Sequence, residues 1–276
     1  MAGVVATFDF DETIIGCDSD IWVVERLGAT ELFDRLRPTM PLNNLMDKIT
    51  RELHSQGRSI EDITNCLKTA PLDPHVVDAI RSSYALGCDL RIVSDANHLF
   101  IETILKHHGL LECFSEINTN PCYVDEDGRL RILPYHDLHS SPHGCSLCPS
   151  NMCKGKIFDR IRASADAEGK KHFIYLGDGK GDYCPSLRLT EADYVMPRKE
   201  FPLWDLVSNN TKLLKAEVHE WSNGEEFARV LLQLINKTTA ADPNDSSAQL
   251  ISTDCKLETI PLSPKEGLLL SLRVPH

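Results

Sequence analysis

Apolar residues follow two rhythms along this chain. Short continuous runs at residues 3–9, 89–93, 172–176 and near 194–196 read as strands covered on both faces, the pattern of a parallel sheet. Between them, apolar positions recur at helical spacing, as with Ile21, Val24 and Leu27. That spacing predicts helices over residues 20–27, 42–56, 60–68, 74–86, 99–108, 153–167 and 225–235. Gly28, Pro38, Pro41 and Gly57 break the early helices, and Ser59 followed by Asp62 resembles a capping box. Gly109 stands where a helix C-terminal glycine is expected. Asp125-Glu126-Asp127-Gly128, between two short strand-like runs in 123–133, signals a hairpin. Residues 17–70 therefore read as an all-helical insert, and 238–276, rich in Ser, Thr, Pro and Asp, as a flexible tail. The alternation elsewhere predicts an α/β fold with a doubly wound parallel sheet.

Three of the strands end in polar clusters. Residues 3–9 run into Asp9-Phe10-Asp11-Glu12-Thr13, the second strand into Ser94-Asp95-Ala96-Asn97, and the third into Gly177-Asp178-Gly179-Lys180-Gly181-Asp182. Paired carboxylates have no use inside a strand, where unpaired charge is costly. The carboxyl edge of a parallel sheet, however, is where ligands bind. In an extended chain Asp9 and Asp11 point to the same side, so they converge on one ligand or metal.

At 276 residues with 42% apolar content, the chain can bury a substantial core. A formal net charge of −12 argues against nucleic-acid or anionic-membrane partners. No apolar run approaches membrane-spanning length and no leader-like start is present, so a cytoplasmic protein is expected. The ten cysteines are then expected to be reduced, as buried thiols or metal ligands.

Cleavage of a phosphate monoester needs a nucleophile, an acid for the leaving oxygen and positive charge around the phosphoryl group. Asp9 is suited to attack, giving an aspartyl-phosphate, and Asp11 to give and later take a proton. Mg²⁺ is the expected cation, held by Asp9, the backbone carbonyl of Asp11, and Asp178. Asp182 reads both as an orienting group behind those ligands and as an N-cap. Ser94 is suited to bind phosphate oxygens or simply to cap the next helix. Lys154 opens a helix and is suited to neutralise phosphoryl charge.

Taken together and in order, Asp-Phe-Asp-Glu-Thr, Ser94, Lys154 and Gly-Asp-Gly-x-Gly-Asp resemble the four motifs of the haloacid dehalogenase superfamily of phosphatases. The match covers about residues 3–200. It implies a Rossmann-like core over 1–16 and 71–237, with the helical insert 17–70 as a C1-type cap. Thr13 falls on the terminal Thr/Val position of the first motif and is expected behind the metal ligands with Asp182. Gly181 departs from the Asn that many members carry there. Asp18-Ser19-Asp20 with Trp22, Val93 to Asn97, Cys148 to Lys154 and Asp182 to Ser186 resemble the phosphoethanolamine/phosphocholine phosphatase group, especially its plant members. That group includes inorganic pyrophosphatase-like and thiamine phosphate phosphatase-like proteins. The resemblance implies Asp20 and Asp95 as substrate contacts for a cationic leaving group. The expected substrate is a small phosphorylated metabolite: thiamine monophosphate, phosphocholine or phosphoethanolamine, or alternatively pyrophosphate. A phospho-accepting receiver domain is a further alternative, opposed by Asp11, which shortens the life of a phospho-Asp.

Cys145, Cys148 and Cys153, with His143 or His139, form a possible structural zinc set ahead of Lys154.

Overall fold

A strand as apolar as Val4-Val5-Ala6-Thr7-Phe8 belongs inside a sheet, and the computed structural model, which describes residues 3–137 and 143–240, puts it there. Strand β1 (Val4–Phe8) leads into four helices, α1 (Ser19–Arg26), α2 (Thr30–Leu36), α3 (Leu42–Ser55) and α4 (Ile60–Leu67). Helix α5 (Pro74–Ala85), β2 (Asp89–Asn97), α6 (His98–His107) and β3 (Phe114–Asn120) follow, then a hairpin of β4 (Cys122–Val124) and β5 (Leu130–Ile132). The chain continues through α7 (Lys154–Ala167), β6 (His172–Gly177), α8 (Tyr183–Ser186), β7 (Tyr194–Pro197), α9 (Pro202–Asn209), β8 (Glu217–Val218) and α10 (Gly224–Ala240).

Six strands form one parallel sheet in the order β3-β2-β1-β6-β7-β8. Ala6 lies between Leu90 of β2 and Ile174 of β6. The strand order reverses between β1 and β6, so Asp9 and Asp178 flank the switch point, where open α/β sheets leave a crevice. Side-chain alternation sorts the sheet's two faces. Val4, Ala6, Phe8, Ile174 and Leu176 enter one apolar cluster, and Val5, Phe173 and Tyr175 enter the other. Phe8 meets Phe114 edge-on at 5.9 Å and lies 6.3 Å from Phe227, which anchors the backbone one residue ahead of Asp9. Truncating such a buried ring costs about 3–5 kcal/mol.

The helical stretch shares the first cluster through Val23, Phe33, Leu45, Met46, Ile49 and Leu67. The Ser59/Asp62 capping box forms as expected at the start of α4. The hairpin packs on α3: Arg131 makes paired hydrogen bonds to Asp47, the Ile132 N–H donates to Asp47, and the Thr50 hydroxyl donates to the Leu130 carbonyl.

Several elements differ from the sequence expectation. Strand β2 runs on to Asn97, which puts Ser94 and Asp95 inside it. Strand β3 has few apolar residues, and its polar ones are satisfied by β2: Arg91 pairs with Glu116 and the Asn118 amide donates to the Ile92 carbonyl. Helix α10 passes residue 238, where the tail was expected to begin, and Thr238 bonds back to the Leu234 carbonyl within it. The expected tail from residue 241 and His139 lie outside the described residues. Among the described residues no helix is long and apolar enough to cross a membrane.

Candidate active site

The ends of β1, β2 and β6, with the start of α7, surround a cavity of about 220 Å³. Its lining includes Asp9, Asp11, Ser94, Asp95, Lys154 and Asp178. Eight of the lining residues are acidic (Asp9, Asp11, Glu12, Asp18, Asp20, Asp95, Asp178 and Asp182), and Lys154 is the one cation among them.

Lys154 is buried at the first position of α7. Its Nζ lies 2.6 Å from Asp9 Oδ2 and 2.8 Å from Asp182 Oδ1. Burial alone would lower the lysine's pKa, but Asp182 and Asp9 more than offset it, and the ammonium is held charged. The carboxylates respond the other way. Burial and then the charge of Asp182 push Asp9 well above the usual carboxylate range, against the pull of Lys154. The same two causes push Asp178 up to about 7. The lysine does not balance this much negative charge.

Oxygens of Asp9, Asp178 and Asp182 all lie within 4.8 Å of one another. Hard oxygen donors with unbalanced charge fit a hard divalent cation. Asp182 is the least available of the three. One of its oxygens accepts from Lys154 Nζ and the Tyr175 hydroxyl, the other from the N–H groups of Asp178 and Gly179. Its side chain does not cap α8, which corrects the N-cap half of the expectation. The close approach depends on Gly177, where an added Cβ would fall 2.5 Å from Asp182 Cγ. Thr13 stands behind the cluster, its hydroxyl donating to Asp178 Oδ1 at 3.3 Å.

Past β1 the chain coils: the N–H groups of Thr13, Ile14 and Ile15 all reach the Phe10 carbonyl. Glu12 takes a left-handed φ of 53°, uncommon for a residue with a Cβ. Arg198 holds it there, donating to the Glu12 carbonyl at 2.6 Å and to its carboxylate at 2.7 Å. The coil brings Asp11 to the cavity, where it accepts from the Ser19 N–H at 2.9 Å. Burial first, then the charges of Asp18 and Asp20, raise its pKa well above normal.

Ser94 lines the cavity from within β2, and its hydroxyl accepts from the Ala96 N–H. Asn97, not Ser94, caps α6, accepting from the Phe100 N–H, so the capping role expected as an alternative for Ser94 falls away. On the far wall Asp95 accepts from the amides of Asn120 and Asn151. Asp20 is buried there, and its Oδ1 has no hydrogen-bond partner among the described residues. Burial, then Asp18 and Asp95, raise its pKa.

His143 is not part of the sulfur cluster. Its Nδ1 accepts from the Cys145 N–H, and its Nε2 lies 2.8 Å from the Pro149 carbonyl. Cys184 takes the place expected for it, beside Cys145, Cys148 and Cys153.

Tyr175, Asn120, Asn151 and Arg198 were not singled out as site residues. Each acts through another side chain or a backbone group, and such roles leave no local spacing in a sequence. Asn151 does fall inside the Cys148 to Lys154 word, which is the one signal that pointed near it.

A family model described as "Putative Phosphatase" matches residues 4–235. An Arabidopsis thaliana protein named "Inorganic pyrophosphatase 2" is 56% identical over 256 residues, 92% of this chain and 92% of its own. A second protein from the same plant, "Thiamine phosphate phosphatase-like protein", is 57% identical over 240 residues, 87% of this chain and 98% of its own. In fold, the chain is similar to a substrate-bound phosphoserine phosphatase, with a TM-score of 0.53 at 14% identity over 83% of this chain and 96% of that one.

Proposed function

The chain belongs to this phosphatase family, within the haloacid dehalogenase superfamily, and on that premise we propose that it hydrolyses a small phosphomonoester with a cationic leaving group through a phosphorylated Asp9. The observation that carries the reading is the Asp9–Lys154–Asp182 contact with Asp178 beside it, at the switch point of the sheet.

Asp9 attacks phosphorus as a carboxylate, and Lys154 at 2.6 Å favours its ionised form. As the bond to the leaving oxygen breaks, Asp11 delivers a proton to that oxygen, a role that suits a carboxyl with a raised pKa. Asp11 then takes a proton from water. The water attacks phosphorus, the bond to Asp9 breaks and orthophosphate leaves. Asp9 and Asp178, with the Asp11 carbonyl, would hold Mg²⁺, which when bound supplies the positive charge that one lysine cannot. Asp182 orients Lys154 and the loop of Asp178, and Ser94 offers a hydroxyl to a phosphoryl oxygen.

The unpartnered Asp20 oxygen, with Asp18 and Asp95 close by, supports a positively charged leaving group such as choline, ethanolamine or thiazolium. A cavity this small suits a compact metabolite rather than a drug-sized one of roughly 300–1,000 Å³. The 56% identity to a protein named as a pyrophosphatase favours a second reading, pyrophosphate as substrate.

Phosphate release from phosphocholine, phosphoethanolamine, thiamine monophosphate, pyridoxal phosphate and pyrophosphate, with Mg²⁺ present, tests both. Asp9→Asn is expected to fall to background while keeping its circular dichroism, and a normal rate would reject the mechanism. Asp20→Asn should raise KM for phosphoethanolamine by about 10- to 100-fold, the loss of one hydrogen bond from its ammonium to a charged group, and should raise KM for the quaternary cation of phosphocholine by less, since only charge attraction is lost there. Turnover of pyrophosphate alone would replace the first reading with the second.

A further inference from the structure

The sulfur cluster plays no part in the chemistry above. Three of its members lie on the segment 143–153, which contains no helix or strand and exposes its one large aliphatic residue ahead of Met152, Leu147. That segment has little core of its own, yet it converges on buried Cys153 and on buried Cys184 from α8. All four Sγ atoms lie within 4.8 Å of one another. Cys145 Sγ and Cys184 Sγ are 3.7 Å apart, too far for a disulfide at about 2.05 Å. A tetrahedron of sulfurs about 2.3 Å from one ion has edges of about 3.8 Å. The fold makes room for this: an added Cβ at Gly155, in the first turn of α7, would fall 2.4 Å from Cys184 Sγ.

We propose that Cys145, Cys148, Cys153 and Cys184 bind one structural zinc ion in a closed tetrathiolate site. Four soft thiolates in tetrahedral reach select zinc among the common divalent ions. Each thiol releases its proton to solvent on binding, leaving a net charge of −2 on the ion and its ligands. Lys156 and Arg188, which line the same recess, offset part of it. His143 serves the site from outside, pinning the loop through the Cys145 N–H and the Pro149 carbonyl. The ion's role is mechanical. Cys153 directly precedes Lys154 and Cys184 follows Asp182 by two residues, so one ion would clamp together the two segments that supply the buried lysine and its partner.

Elemental analysis of the full-length protein, purified without chelators from zinc-supplemented culture, gives the first test, and one zinc per chain retained through dialysis is expected. Exchange for cobalt should give thiolate-to-cobalt charge-transfer absorption and the intense ligand-field bands of a tetrahedral S₄ site. Cys184→Ser should move those bands to higher energy and weaken metal retention at least tenfold, and Cys145→Ser, at the more exposed end, should do the same if Cys184→Ser does not fold. Cys66→Ser, against Trp22 in the helical stretch, should change nothing. A zinc-free protein, iron in place of zinc, equal metal in a Cys148→Ser/Cys184→Ser double variant, or a Cys145–Cys184 disulfide in freshly purified material would each overturn the proposal. None of these readouts requires turnover, so the result is independent of the phosphatase mechanism.

Discussion

Replacing Asp178 with asparagine removes one charge from the carboxylate cluster at nearly constant shape. Burial and then Asp182 hold the Asp178 carboxyl up to about 7 in the fold, against 3.8 for an aspartate free in water. In metal-free protein the folded state therefore binds a proton that the unfolded chain releases, and stability falls as pH rises from about 4 to about 7. A difference of about three pKa units at 1.36 kcal/mol each makes the ionised carboxylate cost about 4 kcal/mol above pH 7. The one side-chain hydrogen bond made by Asp178, accepted from Thr13 at 3.3 Å, is long, and the asparagine oxygen can still accept it, so little of that is returned. Metal-free Asp178→Asn should thus melt higher than the parent at pH 7.5, by on the order of 10 °C for a domain of this size. The two should converge near pH 4. Added Mg²⁺ should then close most of the gap, because the parent gains about 2.7 kcal/mol at 100 times its Kd and the variant gains far less. Thermal melts with chelator and with Mg²⁺, at both pH values, read the whole pattern. A variant that melts below the parent in chelator, or that keeps the full Mg²⁺ gain, would refute the reasoning.

Two further outcomes follow from the geometry. Asp11→Asn should lose about 10²- to 10⁴-fold in kcat on alkyl phosphates but much less on an aryl phosphate whose leaving group needs no proton, and the alkaline fall in the parent's kcat profile should vanish in the variant. Gly155→Ala drives a methyl into Cys184 and should destabilise the fold by about 1–3 kcal/mol in denaturant titrations, with zinc retention falling in parallel.

The parts of the site most legible in the sequence were those where local pattern and chemistry disagree. An apolar run that ends in Asp9 and Asp11, or a strand that ends in a glycine-rich acidic loop, is unstable as plain sheet and so declares a ligand. Burial on both faces made β1, β6 and β7 equally plain. Strand β3 was missed because its polar residues are paid for by neighbours on β2, a tertiary arrangement with no local signature. The same holds for Arg198, which reaches Glu12 from 186 positions away. Helix α2 sits in the short interval between Gly28 and Pro38, and β8 has only two residues, too few for any period to register. At the sulfur cluster, closeness in sequence favoured His143, whereas the fold supplies Cys184 from beyond an intervening helix and strand.

The bidentate grip of Arg131 on Asp47 ties the hairpin to α3, whose first residue, Leu42, borders the cavity. Drawing α3 back from the mouth must either drag the ribbon along or break three hydrogen bonds to one carboxylate. Were substrate to enter by such a movement, its admission and the escape of phosphate would be mechanically linked to this two-stranded latch, and turnover would slow or quicken with how readily the latch yields.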